Sequence, residues 1–203
     1  MKKSILWIIL LIVLTAIIPI TAGIKQETVS ANTDNDTNQK SEIIADIELT
    51  EEEKKTVISN VMVHISEDYS TECKKALVAL CKNNALVQKI KGLENQSVQI
   101  SKYSDAFYNE LAELLKEDET CISLNGERQY IPIINISPGY IVEDPEYPYI
   151  TSVACPWDLQ SPQYQKSADY KCGISINGIE SLCSLGFMRD HALSYFLPMF
   201  NIN

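Results

Sequence analysis

Two pairs of adjacent carboxylates, Glu67-Asp68 and Glu143-Asp144, and two histidines, His64 and His191, are the acid–base groups that stand out in this 203-residue chain. Two carboxyl groups flanking a glycosidic bond can cut it, one protonating the leaving oxygen while the other assists at the sugar. A protonated imidazole such as that of His64, just upstream of Glu67 and Asp68, can also donate a proton. In exposed acidic loops such pairs are ordinarily solvated surface, and a lone histidine is ordinarily structural. There is no Gly-rich phosphate loop and no Ser-His-Asp spacing, so residue types alone specify no reaction. The six cysteines are Cys73, Cys81, Cys121, Cys155, Cys172 and Cys183. None forms a Cys-x-x-Cys motif or a zinc-type pair with histidine. Cys73 and Cys81 lie about two helical turns apart, roughly 12 Å, which is too far to bridge each other. The cysteines read as small apolar core residues in preference to a full disulfide set. No metal and no cofactor is expected.

The pattern of apolar residues outlines the elements that must hold these groups. Thr50, followed three residues later by Glu53, is a capping box that predicts a helix through about Val63. Thr71 opens a second helix to about Lys91, in which Cys73, Leu77, Leu80, Cys81 and Asn84 share one mostly apolar face. A third helix over residues 104–116 places Phe107, Leu111, Leu114 and Leu115 on one side. Then the period changes. Residues 121–124, Asn125-Gly126 and 128–136 read as a β-hairpin around an Asn-Gly turn. Residues 143–148 form a proline-punctuated loop, and 149–154 a short strand. Two closing helices follow over 175–185 and 190–196, with Gly186 stopping the first. The expected class is α+β: a single exported domain with N-terminal helices, a β-rich middle and two C-terminal helices, after an N-terminal transmembrane helix.

Export follows from the first 24 residues. Between Lys3 and Lys25 the chain carries no charge. At about 1.5 Å per residue this apolar run spans roughly 30 Å as a helix, the thickness of a bilayer's hydrocarbon core. Lys2 and Lys3 leave the N-terminus in the cytoplasm. Residues 1–24 therefore read as a membrane anchor, single-pass, with the C-terminal domain extracytoplasmic. Small residues at Val29-Ser30-Ala31 and Ile20-Thr21-Ala22 keep open secretion after signal cleavage, although the apolar run is longer than a cleavable peptide usually has. Residues 25–48 are a polar linker without an aromatic residue, unable to bury enough surface to offset ordering, and 49–203 form the folded domain. All 27 acidic residues lie beyond the apolar segment, against 15 of the 17 basic ones (Lys2 and Lys3 precede it), a net of −12. Such a domain is a poor nucleic-acid binder, and anionic lipid repels it, so the helix must do the tethering.

The order of segments says more than any single residue. Gly173-Ile-Ser-Ile-Asn-Gly-Ile-Glu-Ser-Leu-Cys-Ser-Leu-Gly186, followed by Ala192-Leu-Ser-Tyr-Phe-Leu-Pro-Met-Phe200, resembles the end of the stage II sporulation protein D / LytB family, which typically reads G-x-S-Q-Y-G-A-x-x-L-A-x-x-G. Pro148-Tyr-Ile-Thr-Ser-Val-Ala-Cys-Pro-Trp-Asp158 is similar to the family's P-Y-L-x-S-V-x-S-P-W-D block. Glu72 to Leu86 is similar to its E-A-L-K-A-Q-A-V-A-A-R-T-x-A-L helix, and Asn125-Gly126 through Ser137-Pro-Gly139 parallels its N-G…S-x-G-G stretch. The four blocks occur in order over roughly residues 50–200.

That resemblance implies a sporulation- or cell-wall-associated protein, facing peptidoglycan glycan strands or a cell-wall partner protein. It also implies lytic transglycosylase chemistry, which needs a carboxyl group to protonate the glycosidic oxygen. Counting back from Glu72 to the family's A-E-M-P glutamate lands on His64. Three other polar family positions are Ile134, Tyr170 and Ile176 here. The expectation is a catalytically degenerate member that binds glycan or a partner, with Ser137, Gly139, Trp157 and Ser175 as substrate-binding positions. The alternative is an active transglycosylase using His64, or Glu67 and Asp68 as displaced acids. Either reading expects a cleft between the second helix and the hairpin.

Overall fold

Thr50 starts the first helix, α1 (Glu51–His64), by reciprocal capping. Its hydroxyl accepts from the Glu53 N–H at 3.3 Å, and the Glu53 carboxylate accepts from the Thr50 N–H at 2.6 Å. Glu51, Glu52 and Glu53 in the first turn complement the helix dipole. The computed structural model describes residues 47–93, 104–137, 139–141, 143–160 and 172–203, all within the unit Gln39–Asn203. The expected membrane segment, residues 1–24, and the linker up to residue 46 lie outside the described residues. Among the described residues no helix is long and apolar enough to cross a membrane.

Helix α2 (Thr71–Ile90) is the centre of the core. Its N-cap is Ser70, one residue earlier than the sequence suggests, with the hydroxyl accepting from the Cys73 N–H. It packs against α1, against α3 (Asp105–Glu117) and against the two closing helices α4 (Ile176–Ser184) and α5 (Arg189–Phe196). With neighbours on so many sides, thirteen of its twenty residues are buried, including the polar Lys74, Asn83 and Asn84. Its one buried lysine, Lys74, is accommodated by an ion pair to Glu110 at 3.0 Å and by the Phe107 ring at 5.4 Å.

The class is mixed α+β, with five α-helices and a few short strands among the described residues. The middle is less β-rich than expected. Asn125 (φ 52°) and Gly126 (φ 79°) do make the Asn-Gly turn, closed by hydrogen bonds between Leu124 and Glu127. The hairpin ends there. Strand β1 (Ile122–Ser123) pairs antiparallel with β4 (Asn201–Ile202) at the C-terminus, and β2 (Ile133–Ile134) pairs parallel with β3 (Ile174–Ser175). The reason lies on α2. The Asn84 side chain donates to the Ile131 carbonyl at 2.7 Å and accepts from its N–H at 2.8 Å, while Asn83 donates to the Gln129 carbonyl. These amides occupy backbone groups that a hairpin partner would have used. The expected strand over 149–154 is likewise a loop, joined to residues 139–141 by the Ile141 N–H on the Val153 carbonyl and the Cys155 N–H on the Gly139 carbonyl.

The C-terminal helices are tied to α2 through their ends. Gly186 (φ +93°) terminates α4 in a Schellman motif, with the Phe187 N–H on the Leu182 carbonyl and the Gly186 N–H on the Cys183 carbonyl. Met188 offers no side-chain cap to α5, so Glu72 of α2 supplies one, accepting from the Arg189 N–H at 2.9 Å. In return Glu180 of α4 accepts from the Ser70 N–H and hydroxyl at the start of α2. Buried Asp118 pairs with both Lys82 and Arg189 and accepts from Thr120. All six cysteines are free thiols. Five are buried, which pushes the thiols of Cys81 and Cys155 up to about 12 and those of Cys172 and Cys183 up to about 11, so they stay protonated at neutral pH.

Candidate functional site

The parallel pairing of β2 with β3 sets Ile134 opposite Ser175, where β3 runs directly into α4. Ser175 is the N-cap of that helix. Its hydroxyl accepts from the Gly178 N–H at 3.0 Å and donates to the carboxylate of Asp158 at 2.8 Å. Asp158 lies in the short 3-10 helix Pro156–Gln160 and is fully buried. One of its oxygens also accepts from the Ser137 N–H and the Cys155 thiol, and the other accepts from the Asn177 side chain at 2.6 Å. A buried carboxylate is stable here because four donors, three on one oxygen and one on the other, replace much of the hydrogen bonding lost from water. It ties the segment around Ser137, the 3-10 helix and the start of α4 into one block.

His64, the last residue of α1, reaches the edge of the same block. The side chain of Asn135 lies beside its imidazole, and the backbone carbonyl of Asn135 accepts from the Asn177 N–H at 3.2 Å. Burial holds the imidazole below the usual histidine range, and the Asn135 side chain opposes that only in part. Protonation therefore favours the unfolded chain. Stability linked to His64 is fully present above the unfolded pKa of about 6.5 and falls as pH drops from there through the lower folded value. His64→Gln should accordingly lose less melting temperature than the parent between pH 7.5 and 5.5. Equal losses in the two proteins would contradict this.

The other candidate positions separate into two groups. Ser137 and Ser175 are buried with Asp158, and the Ser137 hydroxyl is enclosed without a well-formed hydrogen bond, next to the Cys155 thiol. Ile176 is buried as well. Gly139 and Trp157 reach the surface beside this block. Glu67 is exposed and accepts from the Ser104 hydroxyl, the N-cap of α3, at 2.6 Å, and Asp68 is exposed. Tyr170 lies outside the described residues. The cleft expected between α2 and the hairpin is not what the lining shows: a cavity of about 470 Å³ lies where residues 47–49, α2 and the end of α3 come together, lined among others by Leu49, Lys82, Leu86, Leu115, Thr120 and Arg128, and neither the Asn-Gly turn nor any candidate residue lines it.

Two glycines of the closing segment are fixed by crowding. A Cβ on Gly173 (φ +153°) would stand 2.9 Å from both the Ile134 side chain and the Pro132 carbonyl. One on Gly178 would stand 2.7 Å from the Phe196 ring and 2.8 Å from the Cys155 sulfur. Above Phe196 sits Trp157, edge-on to Phe196 (6.3 Å) and to Tyr195 (5.5 Å). Sequence reasoning missed Asp158 and Asn177 as the centre of the block. The signal was present in the Trp157-Asp158 dipeptide and in the polar residue two places after the Ser175 cap.

No protein-family model matches this chain, and no curated protein matches it either. Chemically, Asp158 is fully buried and accepts from four donors, so it serves as a structural anchor. His64, held below the usual histidine range by burial, is mostly unprotonated at neutral pH and so has little of the imidazolium form that could donate a proton. Among the described residues no group of His, Cys, Asp and Glu is placed to hold a metal ion.

Proposed function

We propose that this chain is a membrane-tethered, cell-wall-facing module related to the stage II sporulation protein D / LytB family, one that binds peptidoglycan glycan strands without cutting them. The observation that carries this reading is the use of polar groups in the block around Asp158. The carboxylate there is enclosed and accepts from four donors, and His64, at the position of the family's acid, is an imidazole that burial holds below the usual histidine range. Glycosidic cleavage needs a carboxyl group free to deliver a proton to the leaving oxygen. The fallback acid Glu67 is engaged on the surface by the hydroxyl of Ser104, the N-cap of a neighbouring helix. What remains is a rigid framework that presents a surface, which suits binding.

The test uses the full-length protein in detergent with purified denuded glycan strands. The expected result is co-sedimentation with the strands and no release of anhydro-sugar products on prolonged incubation. Release of such products, abolished by His64→Ala or by Glu67→Gln with Asp68→Asn, would establish the transglycosylase instead.

A further inference from the structure

Two aromatic side chains, Trp157 and Tyr195, meet on the surface above the Asp158 block, and the exposed Tyr140 lies on the backbone segment bridged to Ala154 beside them. Tyr140 forms an isolated β-bridge with Ala154, and the Tyr195 hydroxyl donates to the Ala154 carbonyl at 3.0 Å. Tyr195 in turn packs against Trp157, with ring centroids 5.5 Å apart and planes at 71°. Tyr140 is 52% exposed, Tyr195 is 39% exposed and Trp157 is half-buried. Exposed Pro156 and Ala154 lie between them, and exposed His191 stands one turn before Tyr195 on α5. We propose that Tyr140, Trp157 and Tyr195 form a stacking seat for the sugar rings of a β-linked glycan strand. This rests on the glycan-binding reading above and gives that reading a location.

First, the faces of sugar rings and aromatic rings are complementary. Pyranose rings present apolar C–H faces bordered by hydroxyl groups, and they pack against aromatic rings whose polar tips and neighbours supply hydrogen bonds. Tyrosine and tryptophan have that amphipathic form. Two rings at 71° make the two walls of a corner, which seats one ring-shaped ligand better than a flat patch would. Second, the seat is rigid before any ligand arrives. Phe196 supports Trp157 from below and leaves Gly178 no room for a side chain, while Asp158 holds the turn that carries Trp157. Pre-ordering of this kind lowers the entropic cost of binding.

Size decides between a glycan and a protein as occupant. At about 200 Å² per aromatic side chain, the exposed parts of the three rings total roughly 250 Å². A specific protein interface buries about 800 Å² on each partner. A second copy of this chain would therefore gain too little here, whereas one or two sugar units would be well covered. Binding through ring faces also needs no charge complementarity, which matters for a domain of net charge −12 beyond its apolar segment.

The test uses full-length protein carrying Trp7→Phe, so that Trp157 is the single tryptophan, titrated with chitotetraose and with denuded glycan strands. A saturable change in Trp157 emission is expected with both ligands. Tyr140→Ala and Tyr195→Ala should each weaken binding about tenfold, and Tyr195→Phe, which keeps the ring, should stay within about twofold. Tyr140 is exposed enough that its variant folds, and circular dichroism checks each protein. Binding by the parent with unchanged affinity in both alanine variants would overturn the stacking seat and leave the glycan-binding reading standing. No binding by the parent to either ligand would overturn both. Concentration-dependent dimerisation abolished by Tyr195→Ala would assign the surface to a second copy instead.

Discussion

Replacing Asp158 by alanine should destabilise the domain by about 4 kcal/mol, because it strips the acceptor from four donors at once, three of them buried. Ser175, Asn177, the Ser137 N–H and the Cys155 thiol all converge on this one carboxylate. Ser137, Cys155 and Ser175 are buried, so their donors reach water only if the contact between β2, the 3-10 helix and α4 opens, whereas Asn177 is partly exposed. Asp158→Asn should cost about half as much, roughly 2 kcal/mol, since one oxygen survives but the new amide N–H groups face donors rather than acceptors. Urea unfolding followed by circular dichroism measures both. A loss under 1 kcal/mol for the alanine variant would mean that the donors find other partners and that the block is not held by this residue.

Gly178→Ala carries the second large effect, and its sign is the informative part. On an exposed helix the change from glycine to alanine stabilises by about 1 kcal/mol, because glycine loses more backbone freedom on folding. Here the new methyl would lie 2.7 Å from the Phe196 ring and 2.8 Å from the Cys155 sulfur. Both neighbours are fully buried, so neither can swing aside cheaply. Overpacking of this kind costs about 1–3 kcal/mol, and two contacts this short place it at the upper end, for a net loss of about 2 kcal/mol. Because Phe196 backs Trp157, glycan affinity should fall as well under conditions where the variant is folded. A Gly178→Ala protein as stable as the parent, or more so, would show that α4 can shift away from α5 without penalty.

The two effects share a cause with the glycan seat. Asp158 fixes the turn from below, and Gly178 lets α5 approach closely enough for Phe196 to support Trp157. A buried charge with several donors is a costly way to join a strand to a helix, and an apolar residue of similar size could fill the space. Its presence is accounted for if the position of Trp157 matters more than the stability forgone.

Much of the helical architecture was legible from short-range chemistry. The Thr50–Glu53 capping box, the Ser104 cap, the Asn125-Gly126 turn and the Gly186 stop all form as their residue types dictate, because each motif is closed by atoms within five residues of one another. The apolar face of α2 was legible too, since its period is a property of the helix alone. The pairing of the strands was not. Each strand is two residues long, too short to show an alternating pattern, and β1 finds its partner at the far C-terminus. Nor does any periodicity reveal that Asn84 takes the place of a hairpin strand by bonding both backbone groups of Ile131. The candidate site divides in the same way. Sequence alone brought out Ser137, Gly139, Trp157 and Ser175 as members of ordered blocks. The tertiary structure alone decided that the two serines turn inward to Asp158 while Trp157 meets Tyr195 at the surface. A hydrogen bond between residues far apart in the chain, or a contact between two rings, depends on where whole elements come to rest, and no local run of residues carries that information.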